Sequence, residues 1–190
     1  MGRGKLIVVS APSGSGKSTL VQALLDQNLP LVFSISATSR LPRGKEQEGV
    51  DYYFLSSEAF KKKIEEDAFM EYEEVYPGKF YGTLRSEIED QWSKGQNIIF
   101  DVDVVGGLKI KSQYPNQTLA IFVQAPSLKI LEQRLRARGT ENEDLLKERL
   151  AKAKTEMESA EAFDVVVVND DLERAKKEMI QRVIAFTDQA

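Results

Sequence analysis

A glycine-rich segment near the N-terminus has the residue types and spacing of a phosphate-binding loop. Residues Ala11-Pro-Ser-Gly-Ser-Gly-Lys-Ser18 follow an apolar run and precede a helical pattern. Glycine lets backbone N–H groups approach a phosphate closely, and a helix that begins at the loop adds partial positive charge. We expect Lys17 to reach the terminal phosphates of a nucleotide and the Ser18 hydroxyl to ligate Mg²⁺. A glycine-rich turn without a ligand is the weaker interpretation, because strand, loop and helix occur in this order.

Two carboxylates follow another apolar run. Asp101 and Asp103 come at the end of the segment that begins Ile98-Ile-Phe. The carboxyl end of a parallel strand faces the ligand crevice, and carboxylate oxygens suit Mg²⁺, so Asp101 is expected to hold the ion through water. The alternative is that these residues cap a helix or end a strand in solvent.

Five arginines are distributed in a way that suits anions. Arg40 and Arg43 share a loop, Arg134 and Arg138 lie four residues apart on one helix face, and Arg149 belongs to the next helix. A guanidinium fork matches phosphate oxygens, and two anions that meet in line need positive charge on both sides. Each arginine alone is better explained as a surface residue paired with a glutamate such as Glu132, Glu141 or Glu148. As a set beside a phosphate loop, the arginines predict phosphate contacts.

The sequence allows two roles for Tyr52 and Tyr81. Each stands beside a β-like run. The rings could pack in a core, or the hydroxyls could donate to a phosphate, and the residues alone leave both interpretations open.

The composition excludes several kinds of chemistry. The 190 residues include no cysteine and no histidine, which excludes disulfides, thiol nucleophiles and histidine-dependent triads. Phosphoryl transfer needs neither residue, because positioning and electrostatics supply nearly all of it. The net charge of −4 disfavours nucleic acid and anionic membranes as partners. No signal peptide or membrane-spanning segment is recognisable, so we expect a cytoplasmic protein.

Short apolar runs predict the strands of a parallel sheet, because they are rich in Val and Ile and mostly do not alternate with polar residues. They are Leu6–Ser10, Leu31–Phe33, Ile98–Asp103, Leu119–Val123 and Val165–Val168. Helical patterns lie between most of them, which indicates an α/β fold. We expect one domain over residues 4–187, whose core is formed by 1–33 and 96–190.

Residues 34–95 interrupt this rhythm. The region holds β-like pieces at Phe33–Ala37, Asp51–Leu55, Phe69–Val75 and Lys79–Thr83, with one helix around Glu58–Glu66. We interpret it as an inserted antiparallel lobe.

Six ordered segments resemble guanylate kinases, which belong to the P-loop nucleoside monophosphate kinase superfamily. The segments are Ser10-Ala-Pro-Ser-Gly-Ser-Gly-Lys-Ser-Thr19, Ser36-Ala-Thr-Ser-Arg-Leu-Pro-Arg43, Gly49-Val-Asp-Tyr-Tyr-Phe54, Phe80-Tyr-Gly-Thr83, Arg138-Gly-Thr-Glu141 and Val168-Asn-Asp-Asp171. The resemblance implies a P-loop kinase core, a GMP-binding lobe at 34–95 and a mobile helical lid at about 126–155. Ala11 replaces the first glycine of the strict phosphate-loop motif, a change that recurs within the family. Val105 departs from the family pattern, because it stands where the family usually has glutamine.

The resemblance also implies a role for each matching residue. ATP would be bound by Ala11, Pro12, Ser13, Gly14, Ser15, Gly16, Lys17, Ser18, Thr19 and Asn169. GMP would be bound through its phosphate by Arg40, Arg43, Tyr52 and Tyr81, and through its base by Ser36, Glu71, Thr83 and Asp103. The catalytic side chains would be Lys17, Arg134, Arg138 and Arg149.

The implied activity is direct in-line transfer of the γ-phosphoryl group of ATP to GMP, and also to dGMP, with Mg²⁺, in purine nucleotide metabolism. Guanine presents N1–H and N2–H₂ side by side, and the Glu71 carboxylate can accept from both, whereas adenine lacks this pair. The acceptor is an ionised phosphate oxygen, so no general base is needed. The expected state is a monomer or a small homo-oligomer.

Three other functions stay open at this point. Asp103-Val-Val-Gly106 fits the DxxG motif of a GTPase switch, but no NKxD motif follows it. A catalytically inactive interaction module of the same family would have lost phosphate-loop residues, which this chain keeps. A related kinase with a different nucleotide or a sugar phosphate as acceptor would share the loop and the arginines.

Overall fold

The structure of the protein, a computed structural model, describes residues 4–137 and 143–188. In chain order its strands are β1 (Leu6–Ser10), β2 (Leu31–Phe33), β3 (Ala37–Thr38), β4 (Tyr53–Phe54), β5 (Phe69–Tyr76), β6 (Lys79–Leu84), β7 (Asn97–Asp101), β8 (Thr118–Gln124) and β9 (Val165–Val168). Its helices are α1 (Lys17–Leu25), α2 (Ser57–Glu65), α3 (Arg85–Ser93), α4 (Val104–Gln113), α5 (Leu128–Ala137), α6 (Glu143–Glu158) and α7 (Leu172–Thr187).

Strand β1 lies at the centre of a five-stranded sheet with the order β2-β7-β1-β8-β9, in which every neighbouring pair is parallel. Leu6 and Val8 pack on one face with residues of α3 and α4, and Ile7 and Val9 pack on the other face with α1 and α7. All residues of β1 are therefore buried. This two-sided burial confirms the predicted parallel sheet and explains why its strands do not alternate with polar residues.

The inserted lobe contains a second sheet with the order β4-β3-β6-β5. Its β3–β6 and β5–β6 pairs are antiparallel, as predicted, but β3 and β4 pair in parallel. The long connection between Thr38 and Tyr53 permits this, since a parallel pair needs a crossover rather than a tight turn. Helix α2 packs against this sheet through Phe60, whose ring stacks on that of Phe69 with centroids 4.4 Å apart.

Helix α4 was not indicated by the sequence, because it contains two consecutive glycines near its start. Both positions face buried groups. A Cβ on Gly107 would lie 2.5 Å from Ser10 Oγ, and a Cβ on Gly106 would overlap Glu71 Oε2. The glycines allow α4 to approach β1 and β5 closely, which places its N-terminal cap, Asp103, at the cleft.

Helices α5 and α6 form the region interpreted as a lid. They pack on each other through a separate apolar cluster that includes Leu131, Leu135, Leu146 and Ala153. Leu135 also contacts the phosphate loop, since a Cβ on Gly14 would lie 3.1 Å from its side chain. In the part of the chain that the structure describes, no helix has the length and apolar character needed to cross a membrane.

Candidate active site

The phosphate loop connects β1 to α1 and is shaped by two left-handed glycines. Gly14 and Gly16 have φ values of 93° and 92°, which other residues rarely adopt. Asn169 supports the loop from behind, because its side-chain amide donates to Ser15 O at 2.8 Å. A Cβ on Gly16 would overlap that amide. The backbone of the loop is therefore held in a curve that starts α1 at Lys17.

The sheet order places Lys17 beside the end of β7. Its Nζ forms an ion pair with Asp101 and donates to Val102 O at 3.1 Å. Since β7 is the neighbour of β1, the phosphate loop and these two residues meet at the same edge of the sheet. The predicted convergence of the loop and Asp101 is thus present.

Asp103 combines the two interpretations that the sequence left open. Its Oδ1 accepts the Gly106 N–H at 2.8 Å, so it is the N-cap of α4. It nevertheless lines the cleft, and its backbone oxygen accepts the Ser10 hydroxyl at 3.0 Å. The DxxG match is therefore the start of a helix.

Glu71 is a buried carboxylate aimed into the inserted lobe's side of the cleft. It is 6% exposed, and Thr83, its cross-strand neighbour, donates to its Oε1 at 2.7 Å. Burial raises the pKa of Glu71 to about 7. The Thr83 hydrogen bond lowers this pKa and the nearby Asp103 raises it, both by less than burial does. A carboxylate in such a site is costly unless it meets hydrogen-bond donors.

Arg40 lies behind the two tyrosines. Its Nε donates to Tyr81 Oη at 3.0 Å, and its Cζ lies 4.8 Å from the centre of the Tyr52 ring. Glu46 accepts from both terminal nitrogens, at 2.6 and 2.8 Å. Arg43 is exposed and does not line the cleft, although its backbone N–H donates to Glu46 at 2.8 Å. Glu46 was not predicted from the sequence, because it lies in a loop of mixed charge with no recognisable motif.

The lid arginines hold the phosphate loop from outside. Arg149 donates to Ser13 Oγ at 2.9 Å and lines the cleft. Arg134 donates to Asn169 O at 2.8 Å, behind the loop, and does not line the cleft. Arg138 lies outside the described residues.

One cavity of about 310 Å³ joins these parts. The predicted site residues that line it are Ala11, Pro12, Ser13, Gly14, Gly16, Lys17, Ser18, Thr19, Ser36, Tyr52, Glu71, Tyr81, Asp101, Asp103 and Arg149. Those that lie behind or beside it are Ser15, Arg40, Arg43, Thr83, Arg134 and Asn169.

Helix α6 and the inserted lobe meet across this cavity through residues that were not predicted from the sequence. Lys152 Nζ lies 5.3 Å from the centre of the Tyr76 ring. Glu156 lies one helical turn further along α6, and burial raises its pKa. No motif marks these residues, but their spacing from Arg149 on one helix would have placed them on the same face.

Comparison with known proteins decides the family. The guanylate kinase family model matches residues 3–185. This chain belongs to the guanylate kinase family. The guanylate kinase of Bacteroides thetaiotaomicron is 55% identical over 183 residues, which cover 96% of this chain and 90% of that protein. The guanylate kinase of Porphyromonas gingivalis is 53% identical over 183 residues, with coverage of 96% and 97%.

A crystal structure of guanylate kinase from Anaplasma phagocytophilum has the same fold. Its TM-score is 0.80 at 30% identity, and the match covers 100% of this chain and 89% of that chain. The predicted family and α/β fold are confirmed. The chain is an ATP:GMP phosphotransferase by family, which also confirms the predicted enzyme class.

The residues present fit a Mg²⁺ ion that arrives with ATP. Ser18 and Asp101 both line the cavity beside Lys17. Mg²⁺ is usually bound by one or two protein oxygens together with substrate phosphates and water. Among the described residues there is no group of three or more acidic side chains that would hold a metal without a nucleotide.

Proposed function

We propose that the cleft binds ATP–Mg²⁺ at the phosphate loop and GMP at the inserted lobe, and that the γ-phosphoryl group passes directly from one to the other. The observation that carries this assignment is the shared cavity, which the phosphate loop lines at one end and Glu71 lines at the other. Two nucleotides held in this way would place their phosphates between the two ends, as in-line transfer requires.

Glu71 would select the base. One oxygen of its carboxylate accepts a hydrogen bond from Thr83. Because the group is buried, its ionised form needs further hydrogen-bond donors. The N1–H and N2–H₂ groups of guanine supply them together, whereas adenine, cytosine and uracil do not present the same pair. Ser36 and Asp103 line the same end of the cavity and complete the polar contacts to the base. We include dGMP as a substrate, because these contacts are made to the base, which GMP and dGMP share.

Lys17 would change partner when ATP binds. Its Nζ would leave the Asp101 carboxylate for the β- and γ-phosphates, and Asp101 would then be available with Ser18 as an oxygen ligand of Mg²⁺. The bound ion supplies positive charge at the phosphates. Arg149, Arg134 and the phosphate-loop N–H groups add to this charge from the lid and the core.

No proton has to be removed from the acceptor, because the phosphate of GMP is largely ionised near neutral pH. This fits a chain without histidine or cysteine. Contact between the lid and the lobe at Lys152 and Tyr76 would exclude water and so limit hydrolysis of ATP. From the family we also propose a role in purine nucleotide metabolism in the cytoplasm, with a monomer or small homo-oligomer as the working form.

Lys17→Ala tests this assignment. Removing one preorganised positive donor from a phosphoryl-transfer site should lower kcat by roughly 10²–10³-fold. The measurement is ADP formation with ATP and GMP, together with GMP binding by calorimetry, which should be retained. Lys62→Ala is the control, since Lys62 is an exposed lysine on α2. A Lys17→Ala enzyme with the normal rate would refute the role. The same assay with dGMP, AMP, UMP and CMP tests the acceptor.

A further inference from the structure

The guanidinium of Arg40 is almost completely engaged within the described part of the protein. Nη1 donates to Leu41 O at 3.0 Å and to Glu46 Oε2 at 2.6 Å, and Nη2 donates to Glu46 Oε1 at 2.8 Å. Nε donates to Tyr81 Oη at 3.0 Å. These contacts engage four of the five N–H groups that a guanidinium carries. The fifth N–H belongs to Nη2.

The direction of this fifth N–H follows from the planar fork. The end of the guanidinium, between Nη1 and Nη2, is closed by Glu46. The second N–H of Nη2 is parallel to the Nε–H bond and shares its edge. It therefore points along the same side as Tyr81. Tyr81 Oη accepts from Nε, so its own O–H is left to donate, and Tyr81 lines the cleft.

Glu46 and the aromatic rings leave Arg40 little freedom to turn. The Arg40 side chain is 7% exposed. The Tyr52 ring covers one face at 4.8 Å, and the Phe54 ring lies 5.8 Å from Cζ. Glu46 also accepts the Arg43 N–H at 2.8 Å, which fixes the loop between the two arginines. The hydrogen bond from Arg40 holds the pKa of Glu46 below its ordinary value, so the carboxylate stays ionised.

We propose that Glu46 is a positioning residue for the phosphate of GMP. It occupies the end of the Arg40 guanidinium and thereby turns the other edge, with the adjoining Tyr81 hydroxyl, toward the acceptor phosphate. This role rests on the proposed function of the cleft. It assigns to a carboxylate the task of improving the binding of an anion.

Charge alone predicts the opposite effect. An acidic group close to a phosphate site repels the phosphate, so neutralising it would tighten GMP binding if it acted only through its field. If it acts by orienting Arg40, neutralising it weakens GMP binding, because a glutamine offers one oxygen where the fork needs two. The sign of the change therefore separates the two mechanisms.

Glu46→Gln in the full chain is the test. We expect the KM for GMP to rise about tenfold or more, with the KM for ATP within about twofold of the unchanged enzyme. Glu48→Gln is the matched control. It removes the same charge from the same loop, where Glu48 accepts the Phe54 N–H at 2.8 Å and does not touch Arg40. This control should leave both KM values near those of the unchanged enzyme.

Guanosine, which lacks the phosphate, distinguishes positioning from general damage to the lobe. Its inhibition constant should be unchanged in Glu46→Gln, since Glu71 and the rest of the base site remain. Equal losses for guanosine and GMP would overturn the proposal in favour of a structural role for Glu46. Tighter or unchanged GMP binding would also overturn it. If the unchanged enzyme did not phosphorylate GMP at all, the proposed function itself would be wrong, which is a separate outcome.

Discussion

GMP binding should depend on pH through the ionisation of Glu71. Burial raises the pKa of this carboxyl to about 7, compared with about 4.3 for a glutamate in water. Thr83 and Lys109 lower the pKa and Asp103 raises it, and these are smaller effects than burial. Only the ionised carboxylate can accept from both guanine donors. Protonation of Glu71 therefore removes the form of the protein that binds the base.

The size of the effect follows from the pKa. With a value of about 7, Glu71 is ionised to roughly one tenth at pH 6 and to roughly nine tenths at pH 8. The apparent Kd is the intrinsic Kd divided by the competent fraction, so GMP should bind about tenfold more weakly at pH 6 than at pH 8. Bound guanine favours the ionised form, so binding at pH 7 should release about half a proton.

Isothermal titration calorimetry in buffers with different ionisation enthalpies measures both quantities. The phosphate of GMP also titrates, with a pKa of about 6. Its contribution to the pH dependence has to be separated from that of Glu71. Glu71→Gln provides the separation, because glutamine keeps one acceptor but cannot ionise. The variant should bind GMP more weakly than the unchanged protein at pH 8, and it should lack the tenfold change that Glu71 contributes. If the two proteins showed the same pH dependence, or if the unchanged protein bound GMP more tightly at pH 6, the role of Glu71 would be refuted.

Two glycine substitutions should separate the two ends of the cleft in steady-state kinetics. Gly16 has a φ of 92° and lies against Asn169. A left-handed alanine costs about 1–3 kcal/mol, so Gly16→Ala should raise the KM for ATP about tenfold with little change for GMP. Gly106→Ala places a methyl group against Glu71 Oε2, and it should raise the KM for GMP with little change for ATP. Equal effects on both substrates in either variant would contradict this division.

The sequence predicted the features that depend on local pattern and uniform burial. Strands β1 and β8 are covered on both faces, so continuous apolar runs identify them without reference to the rest of the fold. The phosphate loop could also be predicted from the sequence, because its pattern is local. Gly14 and Gly16 adopt positive φ, and their spacing before Lys17 reflects a backbone shape rather than a distant contact.

Features that depend on contacts between elements were not accessible in this way. The glycines of α4 normally argue against a helix, yet they are needed where α4 approaches Ser10 and Glu71. The partner of Glu71 is set by the register of β5 on β6. Glu46 meets Arg40 only because the loop after β3 folds back on itself. In each case the sequence contains the residue, but the fold determines its neighbour.

Lys17, which lines the cleft, and Arg40, which lies beside it, are each paired with a carboxylate, and the chemistry of each cation determines what its pair can do. Lys17 is a compact charge with rotatable donors, held by Asp101 and by Val102 O at 3.1 Å. It can exchange Asp101 for a phosphate and release that carboxylate to other partners. Arg40 has separate edges in one plane, so Glu46 can stay on one edge while a phosphate meets another. A lysine in the place of Arg40 would carry all its donors on one nitrogen, so Glu46 and the phosphate would crowd around the same atom, whereas the arginine fork offers each of them a separate edge.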